Sequence, residues 1–268
     1  YRKQRKFHKN IIVKNKNKKY DYIFSNENIT KESLLDYKRV FPNAKLVLYL
    51  DDSVNNMKGV NDSFKFYDRV LTFDRKDAQD FKVMFRPLFY CDTFRELNEK
   101  NVKEIYDICF IGTCHSDRLA IINKIMGKYS NLNYYFYCYL QGWFMYYYYR
   151  FSNPEYKKRD KDFFAYNQMS MASVAEKMAE ARAILDIQHP KQTGLTMRTI
   201  ETLGLEKKII TTNDDIKNYD FYNPNNVLVI DRDDPVIKES FINSPYQPID
   251  IHLYYKYSIE GWIEDVFV

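Results

Sequence analysis

The stretch Leu185-Asp-Ile-Gln-His-Pro-Lys-Gln-Thr-Gly-Leu-Thr-Met-Arg-Thr-Ile-Glu-Thr-Leu-Gly204, continued by Leu205-Glu-Lys-Lys-Ile-Ile-Thr-Thr-Asn213, decides how the 268-residue chain is read. An apolar strand ends at Gln188, a polar turn containing Gly194 follows, and a helix starts close to Leu195. A second apolar strand then runs over 207–212. Strand, turn, helix and strand in close succession form the repeating unit of a parallel sheet. In open sheets of this kind ligands bind beyond the carboxyl ends of the strands, and the first helical turn offers free N–H groups to a phosphate. A diphosphate suits the turn between Gln188 and Leu195.

The same rhythm extends towards both ends of the chain. Apolar runs at 20–24, 45–50 and 69–73 read as buried strands, with a weaker fourth at 82–85, and helices are expected near 30–40 and 75–81. A polar stretch, 92–104, interrupts the pattern before a new series opens at Asp107-Ile-Cys-Phe-Ile-Gly112. Strands are expected at 132–140, 183–188, 207–212 and 226–231, and helices near 116–129, 173–182, 195–205 and 254–266. No solenoid period is present. The economical reading is an α/β protein of two Rossmann-like domains, 1–91 and 92–253, with a C-terminal helix, 254–268, packing back on the first. A doubly wound domain normally opens with a strand and a Gly-bearing turn, whereas this one opens with a basic helix. An opening β-α-β portion, with any acceptor-binding loop it carries, is therefore expected to be missing.

Composition narrows the function classes. Hydrophobic residues at 45% and charged residues at 29% suit a folded globular chain and argue against disorder or a polytopic membrane protein. The net charge of +5 is local in origin, because nine of the 41 Lys and Arg fall within residues 1–19, leaving 32 against 36 acidic groups elsewhere. A nucleic-acid partner is not expected, since such binders spread basic residues over a face. The basic segment reads as a solvated helix or as an attraction for anionic headgroups. Cys91, Cys109, Cys114 and Cys138 form no CxxC pair, and no apolar stretch of signal-peptide type follows the basic terminus. A cytoplasmic protein with reduced thiols is expected.

Several residues have the chemistry of a binding site, each with a plainer reading beside it. Arg198, near the start of the helix, suits phosphate oxygens, and Glu201, one turn on, suits ribose hydroxyls; the two equally suit a surface i,i+3 pair. In Gly112-Thr-Cys-His-Ser-Asp-Arg118, Gly112 allows a close backbone approach and Ser116 or Asp117 can cap the next helix. Thr113, His115 and Arg118 then surround a diphosphate, or Arg118 simply faces solvent on a capped helix. His189 follows Gln188 at a strand end, as a substrate contact or as a structural histidine. Asp51 and Asp52 follow the strand at 45–50, as a general base for an acceptor hydroxyl or as a helix cap. Asp231-Arg-Asp233 lies late in the second domain and does not have the setting of a metal-binding DxD, so no metal is expected.

The segment from Gln192 to Asn213 resembles the donor site of bacterial glycosyltransferases of the GT-B type, closest to CgeB-like and lipopolysaccharide-biosynthesis proteins. There a Gly-containing turn and a Glu-bearing helix precede a strand of the Lys-x-Ile-Ile-Thr-Thr kind. The likeness continues through Tyr219-Asp-Phe-Tyr-Asn-Pro-Asn-Asn-Val-Leu-Val-Ile230 and Tyr257-Ser-Ile-Glu-Gly-Trp262, and reaches back to 107–118. It implies two Rossmann-like domains with parallel sheets facing a cleft. It also implies Glu201 on the nucleotide ribose and Thr193, Gly194 and Thr196 along the diphosphate; Gln188 and Gln192, in the same turn region, are further donor-binding candidates. Many retaining members carry a second Glu eight positions before the ribose-binding one; here that position is Thr193.

The function implied is transfer of a sugar from a nucleotide diphosphate sugar to a hydroxyl of a surface glycan such as lipopolysaccharide or capsule, without a further cofactor. A noncatalytic nucleotide-sugar or glycan binder on the same fold is the alternative. The run Tyr134 to Phe151, with eight Tyr, predicts a core strand to about Leu140 and then an aromatic helix on the surface. That helix either touches the inner membrane surface or a lipid-linked acceptor, or is buried against the loop at 157–162.

Overall fold

The computed structural model describes every residue except Tyr1, Asn101 and Lys191. It divides into two compact units. The first comprises Tyr1–Leu88, Thr193–Leu195 and Glu260–Val268; the second comprises Phe89–Gln192 and Thr196–Ile259.

In the first unit, α1 (Arg2–Asn15), β1 (Tyr22–Ser25), α2 (Lys31–Val40), β2 (Lys45–Leu50), β3 (Arg69–Thr72), α3 (Arg75–Phe81) and β4 (Met84–Phe85) follow one another. The strands form one parallel sheet in the order β1-β2-β3-β4. β2 is a continuous apolar run, and all its residues but Lys45 are buried, as expected of a strand covered on both faces. The helix α1 departs from the solvated reading: its lysines face water, but His8 and Ile12 are buried. Ile12 joins Leu34, Tyr37 and Phe41 in the core, and His8 Nδ1 lies 3.2 Å from the Tyr37 hydroxyl. Near the C-terminus Trp262 packs edge-on against Tyr49 at 4.8 Å, and Arg86, only 4% exposed, pairs with Asp265 at 2.8 Å.

The second unit contains α4 (Asp92–Glu99), β5 (Tyr106–Thr113), α5 (Arg118–Lys128), β6 (Tyr134–Tyr139), α6 (Trp143–Ser152), β7 (Phe164–Ala165), α7 (Met171–Ala179), β8 (Ala181–Asp186), α8 (Met197–Gly204), β9 (Lys208–Thr211), β10 (Val227–Val229), α9 (Glu239–Asn243) and α10 (Ile251–Lys256). α11 (Ile259–Val266) opens on its last residue and runs on in the first unit. Six parallel strands lie in the order β10-β9-β8-β5-β6-β7. Counted from β5, this is the 3-2-1-4-5-6 order of a nucleotide-binding doubly wound sheet. Its centre is dry: Ile108, Cys109, Ala183, Ile184 and Leu185 have no exposed surface.

Three local expectations are corrected. The polar stretch at 92–104 contains α4, an amphipathic helix whose Phe94 is buried and whose signal is only Phe94 and Leu97 at i,i+3. The helix expected at 254–266 is two helices. Tyr90 takes the intervening backbone into a bridge, donating its N–H to Tyr257 O and accepting from Ile259 N, both at 2.9 Å. The strand expected to reach Gln188 ends at Asp186, and the helix after it begins at Met197.

Candidate functional site

In the second sheet the strand order reverses between β5 and β8: β6 and β7 lie beyond one, β9 and β10 beyond the other. Ligands of open parallel sheets bind at such a switch point, outside the carboxyl ends of the strands. Arg118 lies across it. Its Nε donates to Ile187 O at 2.7 Å and its Nη1 to Thr113 O at 2.9 Å, so one guanidinium ties the ends of both central strands together. Nη2 makes no hydrogen bond among the described residues. Burial lowers the Arg118 pKa, opposed by the nearby Asp186 carboxylate, but a guanidinium remains a cation. The solvent-facing arginine is thus not what forms. Gly112 lies beneath this side chain, where a Cβ would come 3.5 Å from Nη1 and 3.3 Å from the Phe110 ring.

A second guanidinium, which the sequence reading passed over, reaches the same strand end. Arg232 Nη1 donates to both oxygens of Asp117, at 2.8 and 3.0 Å, and Nη2 to Gln188 O at 2.9 Å. The only local signal was its position just after β10. The pairing also explains why α5 lacks the expected side-chain cap: Asp117 stands at the N-cap but its carboxylate is taken, and Ser116 Oγ donates to His115 O at 2.7 Å. Ser116 has φ +52°, a left-handed conformation uncommon for a non-glycine residue and concentrated at functional turns.

His115 and His189 complete this end of the sheet, their ring centroids 5.7 Å apart. The His115 pKa is pushed down to about 4, first by burial and then by the charges of Arg118 and His189. The ring is neutral at pH 7, and its Nδ1 lies 3.1 Å from Ser116 Oγ. The Gln188 amide is used within the sheet end: Nε2 donates to Thr212 O at 3.2 Å, and Oε1 accepts from Thr212 Oγ1 at 2.5 Å.

The start of α8 is fixed by an aspartate the sequence reading also missed. Thr196 caps the helix, accepting from Thr199 N at 3.3 Å and donating its hydroxyl to Asp186 at 2.9 Å. Thr199 Oγ1 donates to the other Asp186 oxygen at 2.5 Å. Asp186 is 4% exposed, and its place at the end of an apolar strand was the available clue. With these bonds made, the N–H groups of Met197 and Arg198 remain the first-turn donors without an intrahelical partner.

Arg198 and Glu201 do form the i,i+3 pair, at 2.6 Å, but in a sheltered setting rather than at the surface, with side chains 20% and 13% exposed. Arg198 Nη1 also lies 2.8 Å from Met178 Sδ, and its buried Nε makes no hydrogen bond among the described residues. Burial raises the Glu201 pKa, with Arg198 opposing.

The remaining candidates lie elsewhere. Gln192 N donates to His189 O at 2.9 Å, while Lys191 is outside the described residues. Thr193 and Gly194 belong to the first unit, where Asp74 receives the Thr193 hydroxyl at 2.7 and 2.9 Å and the Gly194 N–H at 2.8 Å. Asp51 and Asp52 are exposed in that unit; Asp51 accepts from Asn26 at 3.0 Å, and Asp52 from Ser53 N at 2.8 Å and Asn56 at 2.9 Å, while the N-cap of the turn that follows is Ser53, so neither aspartate caps it. Asp231 closes a turn by accepting the N–H groups of Asp233 and Asp234 at 2.7 and 2.9 Å. Among the described residues no three His, Cys, Asp or Glu side chains are placed to hold a metal ion. Cavities of about 430 Å³ beside β1 and about 370 Å³ around Lys208 are lined by none of these residues.

No protein-family model matches the chain, and no curated relative matches it in sequence. Solved structures do. The UDP-forming α,α-trehalose-phosphate synthase from Burkholderia xenovorans superposes with a TM-score of 0.62 at 11% identity, over 98% of this chain and 76% of that one. An α-glucosyltransferase in complex with UDP and a 13-mer DNA gives 0.57 at 11% identity, over 98% and 77%. The lipopolysaccharide outer core galactosyltransferase WaaB gives 0.51 at 11% identity, over 98% and 78%. The structural neighbours are GT-B glycosyltransferases, and the chain has their fold: two units, each built on a parallel sheet of Rossmann type.

Proposed function

We propose that the protein is a glycosyltransferase whose nucleotide diphosphate sugar binds at the carboxyl ends of β5 and β8. The observation that carries this reading is the gathering of Arg118, Arg232 and His115 at the switch point of a 3-2-1-4-5-6 sheet, beside the capped start of α8. The free Nη2 of Arg118 and the first-turn N–H groups of α8 suit a diphosphate, and Glu201, one turn into α8, suits the ribose. In the transfer, an acceptor hydroxyl oxygen bonds to the anomeric carbon as the bond to the diphosphate breaks. The nucleoside diphosphate leaves with the electron pair, and the hydroxyl proton passes to a base, for which His189, in the same unit as the donor, is the candidate. Cationic groups fixed at the diphosphate stabilise the charge that develops there.

UDP is the nucleotide we favour, because two of the neighbours above are UDP-forming or in complex with UDP. A hexosyl donor and a surface-glycan acceptor, such as lipopolysaccharide or capsule, are the finer reading; its support is WaaB and the resemblance of 192–213 to CgeB-like proteins. The work would be done in the cytoplasm.

Thermal-shift and calorimetric titration with UDP, GDP, CMP, ADP and their sugar conjugates tests the donor site, on the native protein and on Arg118→Lys and Glu201→Gln. Selective stabilisation by one nucleotide, weakened in both variants, is expected; indifference to all of them refutes the reading. A binding-only protein is the second reading, favoured by Thr193 at the position of the second Glu and by the local bonds that occupy Asp52. Release of nucleoside diphosphate on incubation with donor and acceptor separates it from an enzyme.

A further inference from the structure

The helix α6, Trp-Phe-Met-Tyr-Tyr-Tyr-Tyr-Arg-Phe-Ser, is fixed on one side and bare on the other. On the inner side Tyr146 is buried, 5.5 Å from the Phe164 ring, and its hydroxyl donates to Arg159 O at 3.0 Å. Tyr149 stacks on Tyr156 at 5.0 Å. On the outer side Trp143 is 68% exposed, Phe144 58%, Tyr147 54%, Tyr148 65% and Phe151 91%. Residues 143, 147 and 151, and 144 and 148, follow one another at i,i+4, so the five form one stripe along the helix. Single exposed apolar residues are ordinary, but a contiguous aromatic stripe on an anchored helix marks an interaction surface.

The chemistry around the stripe selects its partner. The helix has no acidic residue and carries Arg150 in its last turn. The segment that follows presents Lys157, Lys158 and Lys161 to solvent, and its Glu155 is held by Lys158 at 2.7 Å and Asn123 at 2.8 Å. Asp160 and Asp162 are the other acids of that segment. Lys157 and Lys161 form no ion pair among the described residues. Trp and Tyr combine an apolar ring with a polar tip and settle at the boundary between hydrocarbon and headgroups, while lysines beside them are drawn to anionic lipid. No helix among the described residues is long and apolar enough to cross a membrane, so the arrangement suits a helix lying in the plane of the interface.

We propose that the Trp143, Phe144, Tyr147, Tyr148 and Phe151 face of α6 docks on an anionic lipid bilayer, with Lys157 and Lys161 against the headgroups. This assignment stands independently of the donor-site reading.

Flotation with vesicles of phosphatidylcholine containing about a third phosphatidylglycerol tests it, with pure phosphatidylcholine vesicles as the comparison. The native protein is expected to float with the anionic vesicles, more weakly at high salt. Phe144→Ser/Phe151→Ser and Lys157→Glu/Lys161→Glu are each expected to reduce partitioning about tenfold or more. Circular dichroism and melting temperature confirm that the variants fold, and all the substituted side chains are exposed. Failure to float with anionic vesicles, or unchanged flotation of both variants, overturns the proposal. So does a stripe-dependent dimer in sedimentation velocity without lipid binding, which would make the face a protein contact.

Discussion

The imidazoles of His115 and His189 face one another 5.7 Å apart at the carboxyl end of the second sheet, beside the Arg118 guanidinium. Burial and this cationic company hold His115 neutral down to about pH 4, whereas an unfolded chain protonates it near the ordinary 6.5. Between those values the unfolded state binds the extra proton, so His115 contributes stability that is full above about pH 6.5 and is lost as pH falls towards 4. Urea unfolding at steps from pH 7 to pH 4.5 should show this decline, and His115→Gln should flatten it. Proton NMR titration should place the His115 midpoint well below that of an exposed histidine and move it upward when UDP is bound.

Arg118 serves the fold with two hydrogen bonds and the proposed ligand with a third nitrogen. Arg118→Lys keeps the charge but loses the fork that spans Ile187 O and Thr113 O. Nucleotide affinity is expected to fall about tenfold or more, the equivalent of about 1.4 kcal/mol. Calorimetric titration checks it, and unchanged affinity would move the diphosphate away from this strand end.

Asp74 is 2% exposed and accepts from four groups: Lys76 N and Asp77 N at the start of α3, the Thr193 hydroxyl, shared between both oxygens, and Gly194 N. Replacing it with Ala removes a helix cap and leaves buried donors without their acceptor. The expected cost is about 3 kcal/mol of stability. Asp74→Asn, which keeps one acceptor oxygen, should cost less. Denaturant unfolding followed by the fluorescence of Trp262, buried in the same unit, measures both.

Gly204 ends α8 against Tyr90, where an added Cβ would lie 2.5 Å from the ring. Gly204→Ala is expected to destabilise by about 1–3 kcal/mol through overpacking, although alanine favours helix. Tyr90→Leu in the same background should recover part of the loss, a coupling that a double-mutant cycle reads directly.

These residues show what a single chain discloses. β2 and β3 were legible because continuous apolar runs are local signals. β7 is two residues long and α4 has two apolar positions in eight, so neither rises above its surroundings. The carboxyl end of β5 was legible as far as Arg118 and the Gly112 turn, since turn residues after a strand are a local pattern. Arg232 on Asp117, 115 residues apart, and Asp74 on Thr193, 119 apart, are pairings that no window of sequence contains. The same holds for Arg198 and Glu201: their spacing announced the pair, but only tertiary packing shelters it.

The discontinuity of the first unit has a consequence for how the chain is made. Its opening segment, Tyr1–Leu88, is translated well before the Trp262 ring that covers Tyr49 and the Asp265 carboxylate that pairs with Arg86. Until then a buried tyrosine face and a nearly inaccessible guanidinium lack their counterparts. The second unit has all of its residues by Ile259, before the Glu260–Val268 segment of the first unit is translated, so of the two it is the first unit that is completed later.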